Sequence, residues 1–217
     1  MTDAVCYVGS SANNRYTLGT SFIAPSYPIP PNHTLLIGDI LTLVHAGASI
    51  TGDGFGNIYH VFLPKGVDMC LGPPTQLQCY SPDNPSTFFF CAFHGSVTFS
   101  DKGHVLFSVE PYQDVLGCSV PPNGTANNQL IDSTDNVLSH EVCEALSDPE
   151  GRSWWVQAFT FANGAEIGDL CTRAAQFGMN IYWEFGQVEL NGHSYTIQPE
   201  YSNQFHGCAY GPVNPPQ

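Results

Sequence analysis

The sequence predicts an α+β domain with a central sheet, one decisive helix and a loop-rich periphery stapled by disulfides. Three observations point there. Short apolar, β-branched and aromatic runs are separated by Gly- and Pro-rich turns. One segment, Asn127 to Leu146, instead repeats its apolar residues at three- and four-residue spacing. Eight cysteines are scattered through the turns.

Taken in order, the first thirty residues read as an extended entry carrying the proline cluster Pro25, Pro28, Pro30 and Pro31. Thr34 to Ile50 is apolar, with Leu36, Ile40, Leu41 and Val44 at spacings that suit either a helix or a pair of strands. Asn57 to Pro64 reads as a buried strand ended by proline. Lys65 to Pro85 reads as a loop holding Cys70 and Cys79. Thr87 to Phe99 reads as a central strand, and His104 to Tyr112 as another. In the periodic segment, Leu130, Ile131, Thr134, Val137, Leu138, Val142, Ala145 and Leu146 mark a helix with one buried face. Asp148-Pro149 stops it. Short strands follow at Phe159 to Phe161, Asn180 to Trp183, Gln187 to Leu190 and Ser194 to Gln198. No linker divides the chain, so residues 1–217 read as one domain.

Charge excludes whole classes of function. Nineteen acidic residues stand against five basic ones, for a net charge of −14. Such a surface repels phosphate backbones and anionic lipid, so neither nucleic acid nor a membrane surface is expected as a partner. No apolar run is long enough to span a bilayer.

The cysteines do not form paired CxxC knuckles, which argues against a four-cysteine zinc site and for disulfides made in an oxidising compartment. Nearness in sequence suggests Cys70–Cys79 and Cys91–Cys118. The sequons at Asn32 and Asn123 fit a secreted glycoprotein. On that reading the chain is a mature form with an added Met1.

The chemistry concentrates in His140-Glu141-Val142-Cys143-Glu144. Residues four apart share a helix face, so His140 and Glu144 reach one metal ion. Glu141, turned about 100° away, is placed to hold a water beside that ion. This is the logic of the HExxH peptidase helix with glutamate in the second histidine position. Glu166 and Asp169 form a second acidic pair able to return a ligand to the helix. His94, on a strand expected beneath that helix, is a further candidate ligand. With His94 the set suits zinc; with oxygens alone it suits manganese or calcium nearly as well. Tyr201 is a lesser candidate as an oxyanion donor, and Cys143 as a nucleophile beside His140.

At these residues the chain resembles a known family. Ser139 to Pro149, with its His-Glu-x-x-Glu core, followed by Glu166-Ile167-Gly168-Asp169-Leu170-Cys171, is similar to the exordium-like, or phosphate-induced, proteins and their microbial zinc-peptidase-like relatives. Cys91 to Ser96 also looks like that family's cysteine–histidine segment. The resemblance covers roughly Tyr59 to Cys208. It implies a zincin-like fold, secretion, a metal set drawn from His140, Glu144, Glu166, Asp169 and His94, and a Cys171–Cys208 disulfide. Cys143 departs from the family pattern, which leaves it open as a disulfide partner, a thiol near the metal or a packed residue.

Two functions follow as expectations. One is a secreted zinc peptidase acting on peptides or proteins, with Glu141 as general base on the water that attacks the peptide carbonyl. The other is a non-catalytic secreted or cell-wall-associated binding protein with a structural ion.

Overall fold

The structure, a computed structural model, describes residues 18–24, 34–122, 127–155, 166–174, 181–183, 185–190 and 192–210. The proline cluster from Pro25 to Pro31, both sequon asparagines, Cys6 and the strand expected at Phe159 to Phe161 lie outside these residues. The chain divides into two compact units, one from Thr17 to Tyr112 and the other taking in everything from Gln113 onward.

In the first unit, β1 (Leu35–Leu36) leads directly into α1 (Ile37–Thr51). The choice left open by the sequence is settled as a helix. Asp39 supports its start, where its carboxylate accepts a hydrogen bond from Leu36 N at 2.8 Å. Strands β2 (Ile58–Phe62), β5 (Phe93–Phe99) and β6 (Gly103–Glu110) form a three-stranded sheet in the order β2-β6-β5. β2 runs parallel to β6, and β5 runs antiparallel to it. The strand expected to be central is therefore an edge, and it starts only at Phe93. Its neighbour β6 takes the centre, which suits its nearly continuous burial.

The expected loop from Lys65 to Pro85 contains β3 (Met69–Leu71) and β4 (Gln78–Tyr80), an antiparallel pair that β1 joins in parallel. Cys70 stands opposite Cys79 in that pairing, and the two are bonded as expected. The core of this unit gathers Leu35, Ile40 and Val44 with Leu63, Met69, Val105, Phe107 and Val109. A polar chain runs beside it across β2 and β6. Ser108 Oγ donates to Glu110 Oε1 at 2.9 Å, and His60 Nδ1 lies 2.7 Å from the same Oγ.

The second unit is organised by α2 (Gln129–Ser147). The Asn128 side chain caps its start by accepting from Ile131 N at 3.0 Å. At the other end Asp148 N donates to Glu144 O at 2.7 Å, Pro149 prevents continuation, and the Asp148 carboxylate accepts from Ser153 N at 2.7 Å. The predicted boundaries are thus close, and Val137 and Ala145 of the expected apolar stripe are buried, but the covered face is largely polar. Ile131 is exposed, and the buried side carries Asp132, Asn136, Ser139, His140, Cys143 and Glu144.

After α2 the unit is built from small antiparallel pairs: β7 (Thr172–Ala174) with β8 (Ile181–Trp183), β9 (Gly186–Leu190) with β10 (His193–Ile197), and β11 (Glu200–Ser202) with β12 (Gly207–Ala209). Among the described residues the sheets have two or three strands each, and none serves as the single central sheet that the sequence suggested. The protein is α+β, with two α-helices among the described residues and several disulfides. No described helix is long and apolar enough to cross a membrane.

Candidate metal centre

The site is assembled by three segments of the second unit: α2, the turn Glu166–Cys171 and the stretch Gln198–Ser202. One-turn spacing on α2 places His140 above Glu144, with Nε2 of the imidazole 3.0 Å from Glu144 Oε2. One ligand-type atom from each of His140, Glu141 and Glu144 lies within 4.8 Å of the others, and all three residues are buried. Asp169 approaches from the turn, with Oδ1 3.9 Å from His140 Nε2. A carboxylate oxygen of Glu166 lies within 4.8 Å of one on Glu144.

The turn reaches the helix closely because residue 168 has no side chain. A Cβ on Gly168 would stand 2.5 Å from His140 Nδ1 and 2.9 Å from Glu144 Oε1. Backbone then replaces side chain as a partner, and Asp169 N donates to Glu144 Oε1 at 3.2 Å. The turn itself is braced by Glu166 N donating to Asp169 Oδ2 at 3.3 Å and Leu170 N to Glu166 O at 3.1 Å.

Gln198 orients the histidine. Its Nε2 donates to Gly168 O at 2.8 Å, which turns Oε1 toward His140 Nδ1 at 3.2 Å. An amide oxygen only accepts, so Nδ1 carries a hydrogen and Nε2 faces the carboxylates, where either a proton or a cation can sit. Gln198 is in turn held by its own N–H, which donates to Ser139 Oγ at 3.0 Å. Such an outer partner fixes both tautomer and ring orientation in metal sites.

The electrostatics match a cation seat. Burial would lower the His140 pKa, but the Glu144 carboxylate and its hydrogen bond, with Glu141 and Asp169 behind them, outweigh burial and hold it well above the usual value. Burial and the Glu144 charge push Asp169 up to about 6. Burial also drives Glu200 well above the ordinary carboxyl range, against the attraction of His140 and with repulsion from Glu144, Asp169 and Glu141. Carboxyls crowded in this way call for positive charge beyond one imidazolium. The donors fit a divalent ion: an imidazole nitrogen, two carboxylates beside it and a third acid adjacent in sequence to the histidine.

Of the residues singled out from sequence, His140, Glu141, Glu144, Glu166 and Asp169 meet in this one place. His94 is the second residue of β5, paired in register with Ser108. Tyr201 packs against the Cys143–Ile167 cluster. Cys143 is disulfide-bonded, which removes it as a thiol nucleophile; Cys91 and Cys118 are also oxidised. Cys171 and Cys208 are bonded, tying the end of this turn to β12. Gln198, Gly168 and Glu200 were not anticipated as site residues. In sequence, Gln198 and Glu200 are marked only as the polar residues that flank Pro199.

No family model, no curated protein and no solved structure matches this chain.

Proposed function

We propose that the protein is a secreted, metal-dependent hydrolase of peptide bonds, with its ion seated between His140, Glu144 and Asp169. The observation that carries this reading is the orientation of His140. Its Nδ1 is engaged by Gln198, and its Nε2 faces two carboxylates. Zinc, or a harder ion such as manganese or calcium, suits these donors. When bound, the ion supplies Lewis acidity to a substrate carbonyl and its attacking water.

The protein's own groups do the rest. Glu144 and Asp169 hold the charge of the ion, and Gln198 keeps the imidazole from turning. Glu141, the next residue after His140 and within the same cluster, takes a proton from the attacking water and returns it to the leaving amine. The Asp169 side chain, 32% exposed, gives the cluster its solvent-facing edge. The sequence resemblance to exordium-like proteins and their zinc-peptidase-like relatives supports the same reading, including a zincin-like arrangement around α2. The disulfides favour an oxidising, extracytoplasmic setting.

A second reading rests on a different observation. His140, Glu141 and Glu144 are only 5%, 3% and 3% exposed. A centre so closed would serve a structural ion in a non-catalytic, secreted or wall-associated binding protein.

One experiment separates the two. An unfolded protein substrate is incubated with wild type and with Glu141→Gln, each with and without chelator. The peptidase predicts chelator-sensitive cleavage that falls by about 10²–10⁴ in the variant while its metal content stays the same. Metal-loaded wild type that cleaves nothing from acid to neutral pH would overturn the peptidase in favour of the structural ion.

A further inference from the structure

We propose that Glu200 is a ligand of the cation seated at His140, so that the donor set is one imidazole and three carboxylates: Glu144, Asp169 and Glu200. This rests on the metal-centre reading above and adds to it a residue that no helix motif contains.

Glu200 opens β11 and is 7% exposed. Among the described residues it is the one side chain whose two carboxylate oxygens are both buried without a hydrogen bond. The segments around it fix where it belongs. Its neighbour Tyr201 donates its N–H to Ile167 O at 2.9 Å, so β11 lies along the turn that carries Glu166 and Asp169. Two residues earlier, Gln198 touches His140 Nδ1. Electrostatically, Glu200 is coupled to His140, Glu144, Asp169 and Glu141 together.

A buried carboxyl with neither oxygen satisfied is expensive, and buried charges in proteins are paired or bound to metal. The positive group that acts on it, His140, already faces Glu144 and Asp169. A divalent ion beside Nε2 satisfies all three acids at once. The resulting set, with one nitrogen and several oxygens, suits an ion that prefers oxygen donors and higher coordination. That describes Mn²⁺ better than tetrahedral Zn²⁺.

The test is titration of Mn²⁺, and separately Zn²⁺, into the full-length, chelator-treated chain. Wild type, His140→Ala and Glu200→Gln are compared, with folding checked by circular dichroism. Expected are Mn²⁺ binding to wild type, its loss in His140→Ala, and Mn²⁺ affinity at least about tenfold weaker in Glu200→Gln. Unchanged Mn²⁺ affinity in Glu200→Gln, with binding still lost in His140→Ala, overturns the role of Glu200 and leaves the centre standing. A wild type that binds neither ion, or a His140→Ala chain that binds as wild type does, overturns both. Should Glu200→Gln fail to fold, an anomalous-scattering map of wild-type crystals soaked in Mn²⁺ decides. A Glu200 oxygen within about 2.6 Å of the ion supports the proposal, and a greater distance overturns it.

Discussion

The side-chain amide of Gln198 spans from Gly168 O, at 2.8 Å, to His140 Nδ1, at 3.2 Å. One residue thereby ties the turn to the helix and sets the direction in which the imidazole presents Nε2 to the carboxylates. Replacing Gln198 with leucine keeps the bulk and removes both bonds. Metal affinity should then fall by about 10–100-fold, while secondary structure is retained. Calorimetric titration checks this, and wild-type affinity in Gln198→Leu would mean that the ring is held by packing alone.

Gly168→Ala is a steric test of the same geometry. Residue 168 has φ −75°, so alanine meets no backbone penalty there. Its Cβ, however, would stand 2.5 Å from His140 Nδ1. The turn must retreat, with an expected destabilisation of about 1–3 kcal/mol and loss of metal binding. Thermal unfolding and metal analysis of the variant measure both effects together.

The Cys171–Cys208 bridge closes a loop with a sequence separation of 37 and anchors the turn that holds Asp169. Exchanging both cysteines for serine should cost about 2–5 kcal/mol of stability. Denaturant unfolding under non-reducing conditions gives the number. A loss no larger than that of an exposed-site control would show the turn to be held without the bridge.

His60 predicts a pH dependence independent of the metal centre. Burial lowers its pKa from 6.5 to about 4. The unfolded chain therefore binds a proton that the folded chain refuses. The stability contributed by neutral His60 is complete above pH 6.5 and is lost as pH falls toward 4. The thermal midpoint of wild type should drop across that window more steeply than that of His60→Gln. NMR titration of the ring provides the direct check.

These residues also show where sequence reading succeeds. The ends of α2 are local chemistry, an Asn128 cap and a proline after Asp148, so they are legible in a single stretch of chain. The pairing of His140 with Glu144 is likewise fixed by helical repeat alone. The buried side of the helix is not, because Leu130, Val142 and Leu146 compete for the core with a polar row that also draws on partners elsewhere in the chain. Ser139 meets Gln198 N and Asp132 meets Thr196, each nearly sixty or more residues away. Gln198 and Glu200 were missed for the same reason: their meaning comes from the turn against which β11 lies. The rank of β5 in its sheet was misjudged because apolar richness signals burial, whereas centrality depends on which strand β2 chooses to join.

The inward polar row of α2 has a consequence for how the molecule breathes. A helix anchored by directional bonds has less apolar area opposing its release than one seated on leucine and valine. Chelated protein should therefore open locally at α2 before it unfolds globally, and amide exchange along Ser139 to Glu144 should slow when the ion is restored. Hydrogen exchange across that one stretch would report occupancy of the centre with no substrate present.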